Sequence, residues 1–148
     1  MMIVSQTAEY ALRAMAYLAA AEDGLPRSSK EISAATAIPT HYVSKVMRRL
    51  VVAGLLHAQK GHHGGFRLSR APGDIYFEQV LAAADPDQRP RGCSFGYREC
   101  DPDRPCPLHG SWSELKENFE NWAANHTLAD VRAYSEQVSV RRDPPPKN

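Results

Sequence analysis

The residues best suited to chemistry are three cysteines, Cys93, Cys100 and Cys106, which are all the cysteines of the chain and lie within one stretch from Gly92 to His109. The spacing is C-x6-C-x5-C, with a histidine, His109, three residues after the last thiol. The intervening residues include Gly96, Asp101, Pro102, Asp103, Pro105 and Pro107, so the stretch reads as a loop rather than a helix or strand. A structural cysteine usually replaces a small apolar residue in a periodic segment, and none of these three does. A loop that gathers every soft ligand of a protein points to a metal or cluster site. An odd number of thiols argues against a disulfide framework and fits a reducing compartment, so the expected location is cytoplasmic.

Two other chemistries use the same residues. Zinc held by Cys93, Cys100, Cys106 and His109 would give a structural site, although structural zinc normally prefers closer pairs such as C-x2-C. Cys106 and His109 are also spaced for a thiolate–imidazole pair. No oxyanion site, substrate pocket or cofactor motif accompanies them, so the reading is not an enzyme.

The elements that position this loop follow from periodicity and breakers. At 148 residues and 43% hydrophobic content the chain suits one domain with its own core, or a small domain with an oligomerisation arm. No apolar run approaches the roughly 20 residues of a membrane span, and the N-terminal residues carry no secretory pattern. The net charge of +1 conceals an asymmetry. Residues 1–70 hold nine Lys/Arg against four Asp/Glu, and residues 71–148 nine against thirteen. A basic half in a near-neutral chain is the footprint of an anionic partner, most commonly nucleic acid.

Ser5 to Ala20 reads as an amphipathic helix, with Glu9 and Arg13 placed for an i,i+4 pair. Ser28 and Glu31 have the spacing of a capping box opening a second helix, which Ile38-Pro39 ends. A third helix runs from about Thr40 to Ala53, with Gly54 as its C-cap. Its Val43, Val46, Met47 and Leu50 form an apolar stripe. His41, Ser44, Lys45 and Arg48 form the opposite one, a set able to reach phosphates and base edges in a major groove. Leu55 to Ala58 and Phe66 to Leu68 read as strands around the Gly-rich tip Lys60-Gly61-His62-His63-Gly64-Gly65. A hairpin after a helix-turn-helix is a wing, which presents a basic tip to the backbone or minor groove. Adjacent histidines without further donors rarely make a metal site, so His62 and His63 are read with the wing.

Asp74 is placed to N-cap a further helix through Phe77, Val80, Leu81 and Ala84. After the cysteine loop, Leu108, Trp112, Leu115, Phe119 and Trp122 have heptad spacing. Such a seam requires either the rest of the domain or a second copy of the helix, and a symmetric homodimer is the simplest second copy. Thr127 to Val131 begins a last helix, ending near Val138.

With wing and cysteine loop both present, the chain resembles the IscR/NsrR/RirA family of winged-helix regulators that carry iron–sulfur clusters. The resemblance covers about Met2 to Val138. It shows in Glu9-Tyr10-Ala11-Leu12-Arg13, in Pro39-Thr40-His41-Tyr42-Val43 leading to Ala53-Gly54-Leu55, and in Gly64-Gly65-Phe66-Arg67-Leu68. It shows again in the cysteine triplet and in Thr127-Leu128-Ala129-Asp130-Val131.

The resemblance implies a mainly α fold, a winged helix-turn-helix with a small hairpin wing and a long helical dimerisation arm. It implies a transcriptional regulator, typically a repressor, that binds a near-palindromic double-stranded DNA operator as a homodimer. The expected DNA contacts are Ser28, His41, Tyr42, Ser44, Lys45 and Arg48, with Lys60, Gly61, His62 and His63 from the wing. The expected dimer contacts are Trp112, Leu115, Phe119 and Trp122.

The resemblance also implies that Cys93, Cys100 and Cys106 ligate a [2Fe–2S] or [4Fe–4S] cluster that senses NO, redox state or iron and cluster supply. In IscR-like members the fourth ligand is a histidine three residues after the last cysteine, where His109 stands, and Trp112 matches a tryptophan of those members. In others an acidic residue of the partner's first helix serves, and Glu9 occupies that position. The first cysteine gap is one residue longer here than in IscR-like members. The expected organisation is 1–84 DNA-binding, 85–107 cluster loop, 108–138 dimerisation and C-terminal helices, and 139–148 a disordered tail.

Overall fold

Helix α1 (Gln6–Ala20) is the element on which the others are assembled. In the computed structural model, which describes residues 4–21, 23–86 and 101–137, it packs against four other helices and a strand. Its composition permits this. Ala8, Ala11, Ala14 and Ala19 are buried with Met15 and Leu18, and short side chains let neighbouring backbones approach closely. Ser5 caps it, its Oγ accepting from the Ala8 N–H at 3.1 Å.

The chain then builds α2 (Ser29–Thr36), α3 (Thr40–Val52), the strands β1 (Leu56–Gln59) and β2 (Gly65–Leu68), α4 (Phe77–Ala84), α5 (His109–Asn125) and α6 (Leu128–Gln137). The capping box at α2 is fully formed. Ser28 Oγ accepts from Glu31 N–H at 3.2 Å, and Glu31 Oε2 accepts from Ser28 N–H at 2.7 Å. The turn between α2 and α3 passes through Ala37, at φ 57°, and buries Ile38. The Ser33 hydroxyl braces it by donating to the Ile38 carbonyl at 2.6 Å.

Helix α3 sinks its apolar stripe completely, with Val43, Val46, Met47 and Leu50 all at 0% exposure. Gly54, at φ +78°, takes the left-handed conformation that ends it. The hairpin is antiparallel, pairing Leu56 with Leu68 and Gln59 with Gly65. A third strand-like contact joins it, because Arg27 exchanges backbone hydrogen bonds of 2.9 and 2.8 Å with Phe66. That approach is why position 65 is glycine: a Cβ there would strike the Arg27 carbonyl, and the backbone already sits at φ +146°.

One expectation fails at α4. Asp74 does not cap it; it ends a short 3-10 turn, Pro72–Asp74, and the helix begins after Tyr76. The reason is tertiary. Ile75 is buried and extended, its carbonyl accepts from Leu128 N–H at 3.0 Å, and Phe77 N–H donates to the His126 carbonyl at 3.0 Å. Those contacts hold residues 75–77 in an extended path and delay the helix. The Gln79 side chain then caps it, Oε1 accepting from Tyr76 N–H at 2.9 Å. Ala123 of α5 and Leu128 of α6 belong to the same buried cluster as α1 and α3. No described helix is long and apolar enough to cross a membrane.

Candidate functional site

Helix α3 presents one face to solvent because the other is locked in the core. His41, Ser44, Lys45 and Arg48 are all exposed, and they line a common cleft of about 860 Å³ with Arg49, Val52, Ala82, Ala83 and Pro86. The described wall opposite the cationic face is thus the last turn of α4 and the residues just after it. No acidic side chain is among these lining residues.

Arg49 lies between the two walls. It is half-buried, and its Nη1 donates to the Ala84 carbonyl at 2.5 Å, capping the last residue of α4 with a cation. Sequence reasoning gave Arg49 no role, since it falls between the apolar and polar stripes. Its partner is thirty-five residues away in sequence, and no local signal exists for such a pairing.

The other residues expected at a DNA surface divide into two kinds. Lys60, Gly61, His62 and His63 are exposed at the hairpin tip. His63 takes φ 60°, and the His62 and His63 rings lie 5.4 Å apart. Tyr42 is turned inward, half-buried, with its ring edge-on to Tyr10 at 5.6 Å and 4.6 Å from the His41 ring. Ser28 caps α2, its Oγ accepting from the Glu31 backbone N–H while its own O–H can still donate.

One ion pair stands at the root of the wing. Arg27 donates to Asp23 at 2.7 Å. That hydrogen bond, with a second from Leu25 N–H, holds the Asp23 carboxyl below its ordinary range and raises Arg27 further.

The cysteine segment is described only in part. Cys93 and Cys100 lie outside the described residues. Cys106 is exposed and unbridged. His109 opens α5, its N–H donating to the Cys106 carbonyl at 3.0 Å, so thiol and imidazole belong to residues at the two ends of one turn. Glu9, the other candidate fourth ligand, is held within its own chain. Arg13 Nη2 donates to its Oε1 at 2.5 Å, and the same guanidinium reaches the Thr36 carbonyl at 3.3 Å and covers the Tyr10 ring.

The seam of α5 is unevenly covered. Trp122 lies 5.1 Å from Phe77 and 5.6 Å from Phe119, so one side of the indole packs on α4 while 40% of the residue stays exposed. Trp112 is half-buried, while Leu108 and Leu115 remain 48% and 41% exposed.

Residues 4–134 match the family described as Rrf2, iron-dependent transcriptional regulator. The chain belongs to the Rrf2 family. This Rrf2 chain is 33% identical over 132 residues to an Aquifex aeolicus protein named as an HTH-type transcriptional regulator, covering 88% of the chain and 91% of that protein. It is 30% identical over 124 residues to the HTH-type transcriptional regulator NsrR of Geobacillus kaustophilus, covering 83% and 84%. Among solved structures it is similar to T. potens IscR, with TM-score 0.75, 23% identity and coverage of 96% and 94%. It is also similar to CymR, the global cysteine regulator of B. subtilis, with TM-score 0.74, 23% identity and coverage of 90% and 98%. These structures establish the winged-helix fold. The Rrf2 family is one of transcription regulators, not enzymes, and DNA binding goes with it.

Proposed function

We propose that this Rrf2 protein is a cytoplasmic, homodimeric repressor that binds a near-palindromic operator and responds to the state of an iron–sulfur cluster. The observation that carries the DNA reading is the solvent-facing set His41, Ser44, Lys45 and Arg48 beside an exposed hairpin tip. Cations and a hydroxyl on one helix face reach base edges, while Lys60 and the histidines of the tip reach backbone phosphates. Two copies of α3 would read half-sites about 34 Å apart. The exposed Leu108 and Leu115 supply a surface for the second copy, continuous with the packed end of the seam.

The chemistry of the donor set suits a cluster. Cys106 is exposed and free, and His109 belongs to the same turn. Cys93, Cys100, Cys106 and His109 would hold the cluster, with Glu9 of the partner's α1 as the alternative fourth donor. In the single chain one oxygen of that carboxylate, Oε1, is engaged by Arg13. When bound, the cluster supplies a centre sensitive to NO, oxidation or iron loss. The chain's own part is transmission. Arg49 ties α3 to the final carbonyl of α4, and from there the chain runs toward Cys93. A shift of that end of α4 is felt by the recognition helix, and a change of a few kcal/mol between the two half-site arrangements alters occupancy severalfold.

Two measurements test these parts separately. Fluorescence anisotropy on operator DNA should show Lys60→Ala weakening binding to all sequences and lowering the salt slope by about one unit. Ser44→Ala should change sequence preference. Unchanged affinity in Lys60→Ala would remove the wing from the interface. Anaerobic purification followed by iron and sulfide counts and electron paramagnetic resonance, before and after NO, tests the cluster. Zinc without iron would replace the cluster by a structural metal at the same donors.

A further inference from the structure

We propose that Tyr42 is a positioning residue for sequence reading: its ring, backed by Tyr10 of α1, holds the His41 imidazole in one orientation on the solvent face of α3. That role presupposes the reading of His41 as a base contact. His41 is the second residue of α3 and is exposed. Tyr42 comes next, half-buried and packed against the core. Consecutive positions on a helix do not normally face one another, yet these two rings meet, with centroids 4.6 Å apart and planes inclined at 42°. Tyr42 in turn stands edge-on to Tyr10, at 5.6 Å and 65°, an arrangement that the ring quadrupoles favour. Tyr10 is itself held from two sides. Its hydroxyl accepts from Gln6 Nε2 at 3.1 Å, and the Arg13 guanidinium lies 5.5 Å from its ring centroid.

Orientation matters for an imidazole more than for the cations beside it. In its neutral form it carries one donor and one acceptor nitrogen, on different edges of the ring. A ring free to turn offers either to a given base edge, whereas a held ring offers one fixed pattern. Base pairs are told apart in the major groove by such donor and acceptor patterns. A lysine ammonium or an arginine guanidinium donates whichever way it turns, so Lys45 and Arg48 depend less on restraint. Holding the ring before DNA arrives also removes an ordering cost that binding would otherwise carry. The Tyr42 ring is placed to do this because its support comes from α1, which six buried residues anchor in the core.

Two readouts on the full chain separate the ring contact from its use. In the free protein, the NMR signals of the His41 ring protons, assigned by their loss in His41→Ala, should be displaced by the ring current of Tyr42. They should return to the position of an exposed histidine in Tyr42→Leu and keep their place in Tyr42→Phe. For DNA, the probe is a duplex that the unaltered protein selects from a randomised library, with each base pair then substituted singly. His41→Ala should lower discrimination at one base pair by about fivefold or more. Tyr42→Leu should lower it at that same base pair by roughly threefold, the scale of freeing one ordered side chain. It should add nothing in the His41→Ala background, and add in full to Arg48→Ala. Tyr42→Phe should read DNA as the unaltered protein does. Tyr10→Leu, which leaves the residues of α3 in place, should reproduce the pattern in weaker form and stands in if Tyr42→Leu does not fold. Undisplaced ring protons in the unaltered protein, with preference still lost in His41→Ala, overturn the positioning role and leave His41 as a base contact. Full additivity of Tyr42→Leu with His41→Ala also overturns it, making Tyr42 a general brace of α3. So does a loss in Tyr42→Phe across all sequences, which would make its hydroxyl a phosphate contact. A His41→Ala variant that keeps every preference, with the ring protons displaced, removes His41 from the interface and the positioning role with it.

Discussion

Helices α3 and α5 carry the two halves of the proposed function, and their own chain holds them in opposite ways. Of the thirteen residues of α3, four apolar side chains are wholly buried, and its solvent face is polar apart from Val52, which stands 82% exposed at its last position. Of the seventeen of α5, only Ala123 is buried, and its seam leaves Leu115 and Trp122 exposed. The position of α3 is thus decided by intrachain packing. That of the first turns of α5 is not, and the approach to it, Asp101 to Leu108, is exposed throughout. A reading head built into the core can be aimed reproducibly, whereas a helix with an unfinished surface is free to answer to something outside its own fold.

The sharpest way to break this contrast is to damage each helix in turn. Leu50→Ala on α3 should cost about 2–5 kcal/mol of unfolding free energy, because a wholly enclosed side chain leaves a cavity. Urea denaturation measures it. A loss well under 1 kcal/mol would mean that α3 is not anchored by its stripe.

The second test concerns the tie between α3 and α4. Arg49→Gln removes a charged hydrogen bond to the Ala84 carbonyl and should cost about 1.5–3 kcal/mol. It should also narrow the ratio of operator affinities measured with and without the cluster. If stability falls and the ratio is unchanged, Arg49 is only a helix cap and transmission runs elsewhere.

Leu115→Glu should leave the fold of the single chain intact, since the side chain is already 41% exposed. Its expected effect is on association, weakening the proposed dimer by roughly tenfold or more through a charge in an apolar seam. Sedimentation equilibrium against concentration reads it. A variant that associates as the parent does would place the dimer contact off this face.

The same contrast decides what was legible in the sequence. The stripes of α3 follow from local periodicity, and Thr40 to Leu50 could be read because one face is wholly core. The Ser28–Glu31 box was legible for a similar reason, being complete within four residues. The start of α4 was misplaced at Asp74 because Ile75 answers to Leu128 and Phe77 to His126, partners about fifty residues away. Arg27 was hidden in the same manner: its backbone pairing with Phe66 is what demands Gly65, and the sequence shows only a glycine. The seam of α5 was visible as a heptad, but spacing does not reveal which end Phe77 covers. For the candidate site, the exposure of the polar stripe of α3 and of the hairpin tip could be read from residue type, while the Tyr42–Tyr10 contact and the partner of Arg49 are supplied only by folding.

The smallest expected effect lies at the helix that supports α3 from the turn side. Ser28→Ala should cost about 1 kcal/mol as a lost cap. Its partner in the box makes the contribution pH-dependent. The Glu31 carboxyl is held below its ordinary value of 4.5, first by the Ser28 backbone N–H and then by the Ser28 side chain. A folded-state value below the unfolded one means the unfolded chain binds the proton more readily. The stabilisation is therefore fully present above pH 4.5 and is lost as pH falls through the lowered folded value. Glu31→Gln keeps an acceptor without a titrating group, so the gap in Tm between it and the parent should be constant from pH 7 to about 5 and change only below that. Asp23, held low by Arg27, is untouched in this variant, so some acid sensitivity persists in both. A gap that stays constant to pH 3 would show that Glu31 does not close the box in solution, and α2 would then owe its start to Ser28 alone.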